Sequence, residues 1–538
     1  MRSKFTDKQF SIIVVLITLT IVVALSGLAA AAAQGVVSAK AEAGAGQKIS
    51  EGPFEPTWES IRDNYEVPEW FRDAKLGIYV HWGVYSVAER GEWYGRRMYQ
   101  ENDPVYAYHV KTYGHPSEFG YKDLIPLWKA ENFDPDAWLE LFKEAGARYF
   151  TPCAVHHDGF DLWDSKHQPF NAAKMGPKKD LLGMMRAATL KHGLRFGMTS
   201  HLARSYCWLQ TSHGADSKGP KQGVPYDGRL KEYEGLYHET HGDTAMRYPA
   251  VSPAHWKMSW KLRTLDLIDN YQPDLIYLDG ALPFLDDKGQ TGFEVLAHYY
   301  NAGLKRHDGK KEVMLTYKGS AMTQEKNKGW YVSGIGTRDH ERNVPDQMLE
   351  EPWQTDDSIG PWGYNTTVPY TSVDQLVDKF VDIVSKNGNL LLNVPPRADG
   401  KFDRDTIRIL KELGKWNRVN GEAVFGTRPW IRFGEGPVNA PQSRARVSPF
   451  SARDIRFTQS KDGKWLYAII MAWPGEQVVV TSLVMDAEGS GEVKSVSLLG
   501  HEGELEFTQD AEGLKVKMPA EQPCDYAFVL KITGIKLN

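Results

Sequence analysis

From Trp58 to about Ala423, short apolar stretches alternate with segments in which apolar residues recur every three or four positions. The stretches at 75–83, 148–157, 194–201 and 273–280 predict buried strands, and the segments at 134–147, 180–193 and 256–271 predict helices. Asp134, followed by Pro135, is typical of a helix N-terminus, and Gly146 of its end. These units predict a β–α alternation along most of the chain.

A last unit of this kind closes the region. Ser372 and Gln375 resemble a capping box, and apolar residues on one face of the following segment predict a helix. Asn387-Gly388 ends that helix, and NLLLNV at 389–394 predicts another buried strand. Repeated β–α units with apolar, parallel-type strands predict an α/β barrel or a doubly wound sheet over 51–424.

The pattern changes after Gly426. Short strands are predicted near 455–460, 464–473, 477–485, 492–500, 505–509, 514–518 and 525–532, separated by turn signals such as Asp462-Gly463. Such a series is typical of a β-sandwich, which we expect to form a separate C-terminal domain over 425–538.

The N-terminus reads as a targeting segment. Arg2, Lys4 and Lys8 precede the uncharged stretch 12–25, and small residues follow as far as Ala33. This predicts a signal peptide over 1–33, cleaved near Ala33, and export to the periplasm or the outside. Because the apolar run from Phe10 is long enough to span a bilayer of ~30 Å, an uncleaved membrane anchor is the alternative. Residues 34–50 are predicted to be a linker.

Composition narrows the class of protein. Charged residues make up 25% and hydrophobic residues 41%, which excludes a disordered chain and a multi-span membrane protein. The formal net charge of −5, without a long basic run, gives no reason to expect nucleic-acid binding. Three distant cysteines, Cys153, Cys207 and Cys524, exclude a disulfide framework and leave room for one disulfide.

Candidate chemistry gathers where the predicted strands end. His81, the pair His156 and His157, His201 and Asp279 each stand at the end of a different predicted strand. Functional side chains of an α/β barrel collect at the C-terminal ends of its strands, so these residues predict a polar pocket on one face.

Two chemistries suit such a pocket. Neutral histidines with an aspartate are common metal ligands, although the spacing here forms no compact metal motif. Glycoside cleavage needs two carboxyl groups beside an anomeric carbon, with histidines bound to sugar hydroxyls and aromatic rings against the sugar. Asp279 is then a good nucleophile candidate, because an apolar strand delivers it and Gly280 lets the chain turn away.

Five segments, in order, carry a resemblance to a known family. They are WFRDAKLGIYVHWGVYSV with EWYGRRMY, AVHHDGFDLWDSKH, QPDLIYLDG, PWQTDDSIGPWGYN and GNLLLNVPPRADG. Together they resemble the α-L-fucosidases of glycoside hydrolase family 29, from about Trp58 to the C-terminus. The resemblance implies a (β/α)8-like TIM barrel followed by a β-sandwich. It also implies an exo-acting, retaining enzyme without a cofactor that hydrolyses terminal α-L-fucosyl residues of glycans by double displacement.

The resemblance also implies roles for individual residues. Asp279 matches the family nucleophile, and Glu341 in GTRDHERNVPD is similar to the segment that often carries the acid/base; Glu350 and Glu351 are its rivals. Sugar-binding roles follow for the histidines, which are then hydroxyl donors rather than metal ligands. The full set of substrate-binding residues is His81, Glu92, Trp93, His156, His157, Tyr277, His201 and Lys318.

Three departures from the family pattern bear on specificity. The family's W-E-T is Trp353-Gln354-Thr355, its Y-x-S segment is Thr199-Ser200-His201, and its Asn-Arg is Tyr317-Lys318. These departures leave the exact sugar preference open, including a variant that accepts α-L-galactose. Independently of them, a metal-dependent hydrolase that uses the histidines and a carbohydrate-binding protein without activity stay open as alternatives. The oligomeric state is left undetermined.

Overall fold

A computed structural model describes residues 49–242, 251–319, 329–438, 449–485, 491–535 and 537. The predicted leader, with its cleavage site, and the predicted linker up to residue 48 lie outside these ranges. Within the ranges, we find no helix that combines the length and the apolar character needed to cross a membrane. The three cysteines are free thiols, so the disulfide that the sequence left open does not form.

Eight parallel strands close into a barrel, in which each strand pairs with the next and β8 pairs back with β1. This confirms the (β/α)8-like TIM barrel and excludes the open doubly wound sheet. The strands are β1 Leu76–Val80, β2 Tyr149–Val155, β3 Arg195–Ser200, β4 Leu275–Leu278, β5 Met314–Lys318, β6 Thr337–Asp339, β7 Trp353–Ser358 and β8 Gly388–Asn393.

Helices connect and surround these strands. The α-helices of the described ranges are α1 Trp58–Asn64, α2 Glu69–Ala74, α3 Tyr94–Arg97, α4 Pro104–Thr112, α5 Pro135–Ala145, α6 Leu181–Lys191, α7 Ser205–Trp208, α8 Glu234–Tyr237, α9 Ala254–Tyr271, α10 Gln290–Arg306, α11 Val373–Ser385 and α12 Arg404–Asn420.

Local signals in the sequence explain where two of these helices begin. The Asp134 side chain accepts hydrogen bonds from the backbone N–H groups of residues 136 and 137, and Gly146, at φ 103°, ends α5 in the left-handed conformation. Ser372 caps α11 by accepting from Gln375 N at 3.2 Å. The Gln375 side chain accepts from Thr371 Oγ1, so the observed cap is the serine half of the predicted box.

Strands β6 and β7 have no counterpart among the apolar stretches of the sequence. The first is three residues long, and the second, WQTDDS, is mostly polar yet buried. Its polar side chains find partners inside the barrel: Gln354 Nε2 donates to Asp339 Oδ2 at 2.9 Å, and Asp356 N donates to the same oxygen at 3.0 Å. Hydrogen bonding across β6 and β7 thus replaces apolar packing there.

The C-terminal region forms two antiparallel sheets, which confirms the predicted β-sandwich. One has the order β10-β11-β12-β17-β14, with β9 beside β11, and the other the order β13-β16-β15. Apolar side chains of both sheets share one buried core. The strands are β9 Thr427–Arg428, β10 Gly434–Glu435, β11 Ile455–Ser460, β12 Leu466–Ile470, β13 Gln477–Val480, β14 Ser495–Leu498, β15 Phe507–Asp510, β16 Gly513–Lys517 and β17 Phe528–Thr533.

Buried polar contacts join the sandwich to the barrel. Arg456 of β11 donates from Nε to Asp382 of α11 at 2.6 Å, and both side chains are shielded from solvent. Trp416 of α12 donates from Nε1 to the carbonyl oxygen of Ala527 at 2.9 Å. Removal of either Arg456 or Asp382 would leave an uncompensated buried charge. This ion pair therefore couples the stability of the sandwich to that of the barrel.

A buried lysine at the start of β1 makes the stability of the fold depend on pH. Lys75 is 1% exposed, and burial lowers its pKa to about 7. Its pKa in the unfolded chain is about 10.4, so Lys75 disfavours folding below pH 7, and the penalty disappears as the pH rises toward 10. We expect Lys75→Met to raise the free energy of unfolding at pH 6 by about 2 kcal/mol or more, and by much less at pH 9.

Chemical denaturation at the two pH values measures this effect. The exposed Lys415 on α12 offers a matched control, and Lys415→Met should change the free energy of unfolding little at either pH. An equal change at pH 6 and pH 9 for Lys75→Met would contradict the assignment.

Candidate active site

Asp279 follows β4 and lies at the C-terminal end of the barrel. Its backbone N–H donates to the carbonyl oxygen of Ser200 at 3.2 Å, and Gly280, at φ 143°, lets the chain turn away. The carboxylate is 11% exposed. Lys318 Nζ lies 2.9 Å from Oδ1, and His157 Nε2 lies 3.4 Å from Oδ2. Asp279 therefore presents a largely buried carboxylate that cationic and polar groups hold in place.

The charges around Asp279 keep it ionised. Burial by itself would raise its pKa, but the surrounding charges, of which the Lys318 ammonium is the strongest, together outweigh burial and hold the pKa well below its usual value. A carboxylate that is ionised and mostly desolvated is a competent nucleophile.

Lys318, the last residue of β5, binds three carboxyl groups at once. Its Nζ lies 2.9 Å from Asp279, 3.3 Å from Glu341 Oε2 and 3.4 Å from Asp356 Oδ2. Burial alone would lower the lysine's pKa, but these carboxylates raise it well above its ordinary value. Because oxygens of Asp279 and Glu341 share one nitrogen, they cannot lie further apart than these two short distances combined. That arrangement suits a retaining carboxyl pair, whose groups are about 5–5.5 Å apart.

Glu341 stands in the turn after β6 and is the more accessible of the two carboxyl groups, with a 40% exposed side chain. Glu341 and Arg342 have φ values of 32° and 59°, which non-glycine residues rarely adopt. The turn is held by Arg342, whose guanidinium lies 4.2 Å from the ring centre of Trp362 and donates to Asp357 at 3.2 Å. The turn that positions this carboxyl group is therefore conformationally strained.

The rival glutamates lie elsewhere. Glu350 and Glu351 are exposed and precede β7, so they belong to the barrel end opposite to Asp279. Only Glu341 of the three contacts Lys318 among the described residues. The geometry favours Glu341 over both rivals.

The four predicted histidines cluster in the same pocket as Asp279, and His157 and His201 approach its carboxylate directly. His81 Nδ1 pairs with Asn393 Oδ1 at 2.9 Å, and His157 Nδ1 pairs with the carbonyl oxygen of His201 at 2.9 Å. The rings of His156 and His157 lie 4.5 Å apart. Burial lowers the pKa of His81 and His157 to about 3. The imidazoles are therefore neutral. Because the Nδ1–H groups of His81 and His157 already donate to Asn393 Oδ1 and to the His201 carbonyl, their Nε2 atoms can accept hydrogen bonds from sugar hydroxyls.

The other predicted residues occupy different depths of the site. Glu92 Oε2 accepts from Gly363 N at 2.9 Å, and burial raises the pKa of Glu92. Trp93 lies 6.5 Å from the His157 ring and is only partly buried, so it can contact a ligand. Tyr277 is fully buried and its hydroxyl donates to Asp356 at 3.0 Å, which makes it a support for the pocket rather than a stacking surface.

Three residues of the site were not predicted. Asp339 and Asp356 lie behind Lys318, and burial raises the pKa of both carboxyl groups, that of Asp356 most strongly. Trp362 lies 5.3 Å from the His81 ring and 5.9 Å from Lys318 Nζ. Asp356 and Trp362 belong to PWQTDDSIGPWGYN, one of the segments that carry the family resemblance, and this was the signal available.

The barrel and its site together define a class of protein. An ionised carboxylate, a second carboxyl group on the same ammonium, neutral imidazoles and partly buried indoles surround one pocket at the C-terminal end of a (β/α)8 barrel. These are the groups that a glycoside hydrolase needs. Comparison with known families identifies which one: residues 42–422 match the Alpha-L-fucosidase family and residues 448–533 match the Alpha-L-fucosidase C-terminal domain. The chain belongs to the α-L-fucosidase family.

Relatives agree with this assignment over nearly the whole chain. The plasma alpha-L-fucosidase of Homo sapiens is 29% identical over 497 residues, which cover 90% of this chain and 93% of that protein. The tissue alpha-L-fucosidase of Rattus norvegicus is 28% identical over 511 residues, covering 93% and 96%. The predicted family and the predicted enzyme class, a glycoside hydrolase, are confirmed.

Solved structures extend the similarity to three dimensions. The alpha-fucosidase of Thermotoga maritima in complex with fucose is 29% identical, with a TM-score of 0.67, and the match covers 89% of this chain and all of that chain. The same enzyme with a mechanism-based inhibitor is 28% identical, with a TM-score of 0.68.

Proposed function

We propose that this chain is an exo-acting, retaining α-L-fucosidase that removes terminal α-L-fucosyl residues from glycans by double displacement. The observation that carries the proposal is the contact of Asp279 and Glu341 with one ammonium, Lys318, at the C-terminal end of the barrel. The similar Thermotoga maritima enzyme binds fucose, which supports the same sugar for this pocket.

In the first step, the Asp279 carboxylate attacks the anomeric carbon and the bond from that carbon to the leaving oxygen breaks. Glu341 donates its proton to the leaving oxygen, which departs as the alcohol and leaves a covalent fucosyl-enzyme. In the second step, Glu341 takes a proton from water as the water attacks the same carbon. The bond from that carbon to Asp279 breaks as the bond to water forms, which frees the carboxylate and releases fucose with its original configuration.

The residues around Asp279 and Glu341 have separate roles. Lys318 keeps Asp279 ionised and ties both carboxyl groups to one point. The neutral histidines can bind the sugar hydroxyls, and the indoles of Trp93 and Trp362 can pack against the apolar face of the ring. The second carboxyl group is the exposed one, as its contact with both the leaving group and water requires.

Hydrolysis of an aryl α-L-fucoside, followed by NMR, tests the proposal. We expect α-L-fucose as the first product, because two inversions restore the configuration. β-L-Fucose as the first product would exclude double displacement. An aryl α-L-galactoside run in parallel tests the alternative sugar, because a pocket discriminates against one added hydroxyl by only ~1–3 kcal/mol. Turnover of the galactoside alone would overturn the proposed substrate.

Lys318 offers a prediction on the pH dependence of activity. Without the ammonium, burial is opposed less strongly and the pKa of Asp279 rises, so Lys318→Met should lower kcat/KM. It should also move the acid-side fall of kcat/KM up by about one to three pH units. Lys318→Arg keeps the charge and serves as the matched control, with its fall near the wild-type pH. If the acid-side fall of kcat/KM for Lys318→Met stays at the wild-type pH, Lys318 does not set the ionisation of Asp279.

We also propose that the chain is exported through its leader. The basic residues before an apolar stretch and the small residues up to Ala33 support a cleaved signal peptide. N-terminal sequencing of the mature protein from its natural source should begin after Ala33. Recovery of the intact N-terminus in membranes would instead favour the anchor.

A further inference from the structure

Three of the pocket histidines form a triangle with a use beyond sugar binding. The ring centres of His81, His156 and His201 lie 5.5, 4.9 and 5.2 Å apart. Each residue offers a ring nitrogen, and these nitrogens lie within 4.8 Å of one another. All three side chains are buried. They reach the triangle from the ends of β1, β2 and β3, which are neighbours in the barrel.

The size of this triangle matches a tetrahedral metal site. Zinc binds histidine nitrogens at about 2.0–2.1 Å, which places each ring centre roughly 3.2 Å from the ion. At a tetrahedral angle, two such ring centres are about 5.2 Å apart, close to all three separations of the triangle.

The chemistry of the rings also suits a metal ion. Burial lowers the pKa of each imidazole, and a neutral imidazole has a free lone pair. His81 Nδ1 pairs with Asn393 Oδ1, and this pairing turns Nε2 toward the triangle. Asn393 thereby acts like the outer-shell partners that orient histidine ligands in metal sites. His156 Nδ1 is buried and has no hydrogen-bond partner among the described residues. Tyr79 OH, 3.2 Å from Nε2 of both His81 and His201, would have to give way.

We propose that His81, His156 and His201 bind a divalent transition-metal ion of the zinc type and that the ion inhibits hydrolysis. The inhibitory part rests on the proposed function, which assigns these imidazoles to the sugar. An ion on them and a fucosyl ring cannot share the pocket. Asp279 Oδ2 lies 3.9 Å from His201 Nε2, so an ion bound to His201 would also lie near the proposed nucleophile. Magnesium and calcium prefer oxygen ligands and do not fit.

The third ligand lies in a segment that departs from the family pattern. His201 belongs to Thr199-Ser200-His201, the segment that departs from the Y-x-S pattern of the family resemblance. His81 and His156 belong to segments that follow the pattern. The triangle is completed where this sequence departs from its family.

Metal binding can be measured without reference to activity. The purified, metal-stripped full chain is titrated with Co²⁺, followed by its visible absorption, and with Zn²⁺ in a calorimeter. We expect one tightly bound ion and the intense absorption of tetrahedral Co²⁺. His201→Gln and His156→Gln should each weaken Zn²⁺ binding at least about 100-fold, more than the loss of an outer-shell partner. Two variants are used so that one that fails to fold does not decide the result.

A surface histidine provides the matched control. His255 is 61% exposed and lies 3.0 Å from Glu239, a pair that could bind metal ions by itself. His255→Gln should bind Zn²⁺ as the wild type does. Failure of the wild type to bind, unchanged binding in both pocket variants, or loss of binding in His255→Gln would each overturn the site.

Inhibition is tested with an aryl α-L-fucoside. Zn²⁺ should raise KM without changing kcat, L-fucose should weaken Zn²⁺ binding in the calorimeter, and Mg²⁺ should have no effect. An increase of kcat with Zn²⁺ would overturn the inhibitory role and favour a metal-dependent hydrolase. If the fucoside is not hydrolysed at all, the proposed function fails, whereas the Co²⁺ spectrum still decides the metal site.

Discussion

We expect the replacement of Asp279 by alanine to abolish hydrolysis of α-L-fucosides and to lower kcat by a factor of about 10⁴ or more. The loss should be as large on activated aryl fucosides as on poor leaving groups. The reason is that the first step needs a nucleophile whatever group departs, and Asp279 is the buried carboxylate that Lys318 keeps ionised. Initial rates on a series of aryl α-L-fucosides measure the effect.

Stereochemistry sharpens this test. Asp279→Gly opens space for azide, which would attack the α-fucoside directly and give the β-L-fucosyl azide by one inversion. Asp286→Ala, in the same loop after β4, is the matched control and should keep wild-type kcat. Substantial activity in Asp279→Ala would place the nucleophile on another residue.

Replacement of Glu341 by alanine should have an effect that depends on the leaving group. Substrates with poor leaving groups should lose about 10²–10⁴ in kcat/KM, whereas an activated aryl fucoside, which departs without a proton, should lose far less. Azide should increase turnover, because it attacks the fucosyl-enzyme without a general base. The product should be the α-L-fucosyl azide, opposite in configuration to that from Asp279→Gly.

Glu350 and Glu351 supply matched controls for this experiment, since they were the rivals and lie at the other end of the barrel. Their alanine variants should hydrolyse good and poor substrates as the wild type does. If Glu341→Ala loses the same factor on every leaving group, its carboxyl group is not the acid, and a dependence on leaving group in Glu350→Ala would move the role there.

The prediction from sequence succeeded where the signal is local. Helix α5 begins after Asp134 and ends before Gly146, as predicted, because a helix cap depends on residues only a few positions away. The apolar strands β1–β4 and β8 and the sandwich strands β11–β17 were also predicted, whereas the two-residue strands β9 and β10 were not. β7 was not, because its polar residues are buried through partners such as Asp339, which lies on β6.

The residues of the site also divide into those with a signal in the sequence and those that depend on distant neighbours. The strand-end histidines and Asp279 could be named from their positions, and the family resemblance pointed to Glu341. Neither Asp356 nor Trp362 could be placed, because each matters through neighbours distant in sequence: Lys318 for Asp356, and His81 and Arg342 for Trp362.

The sequence by itself determined the alternation of strands and helices, the separate β-rich C-terminal region and the residue types available for chemistry. These depend on periodicity and on neighbours within a few positions. Only the tertiary structure decided that the sheet closes, that Lys318 gathers carboxyl groups from three strand ends, and that three imidazoles form a triangle of metal-binding size. Closure, burial and charge are properties of residues that meet in space, and they set the pKa values on which the chemistry depends.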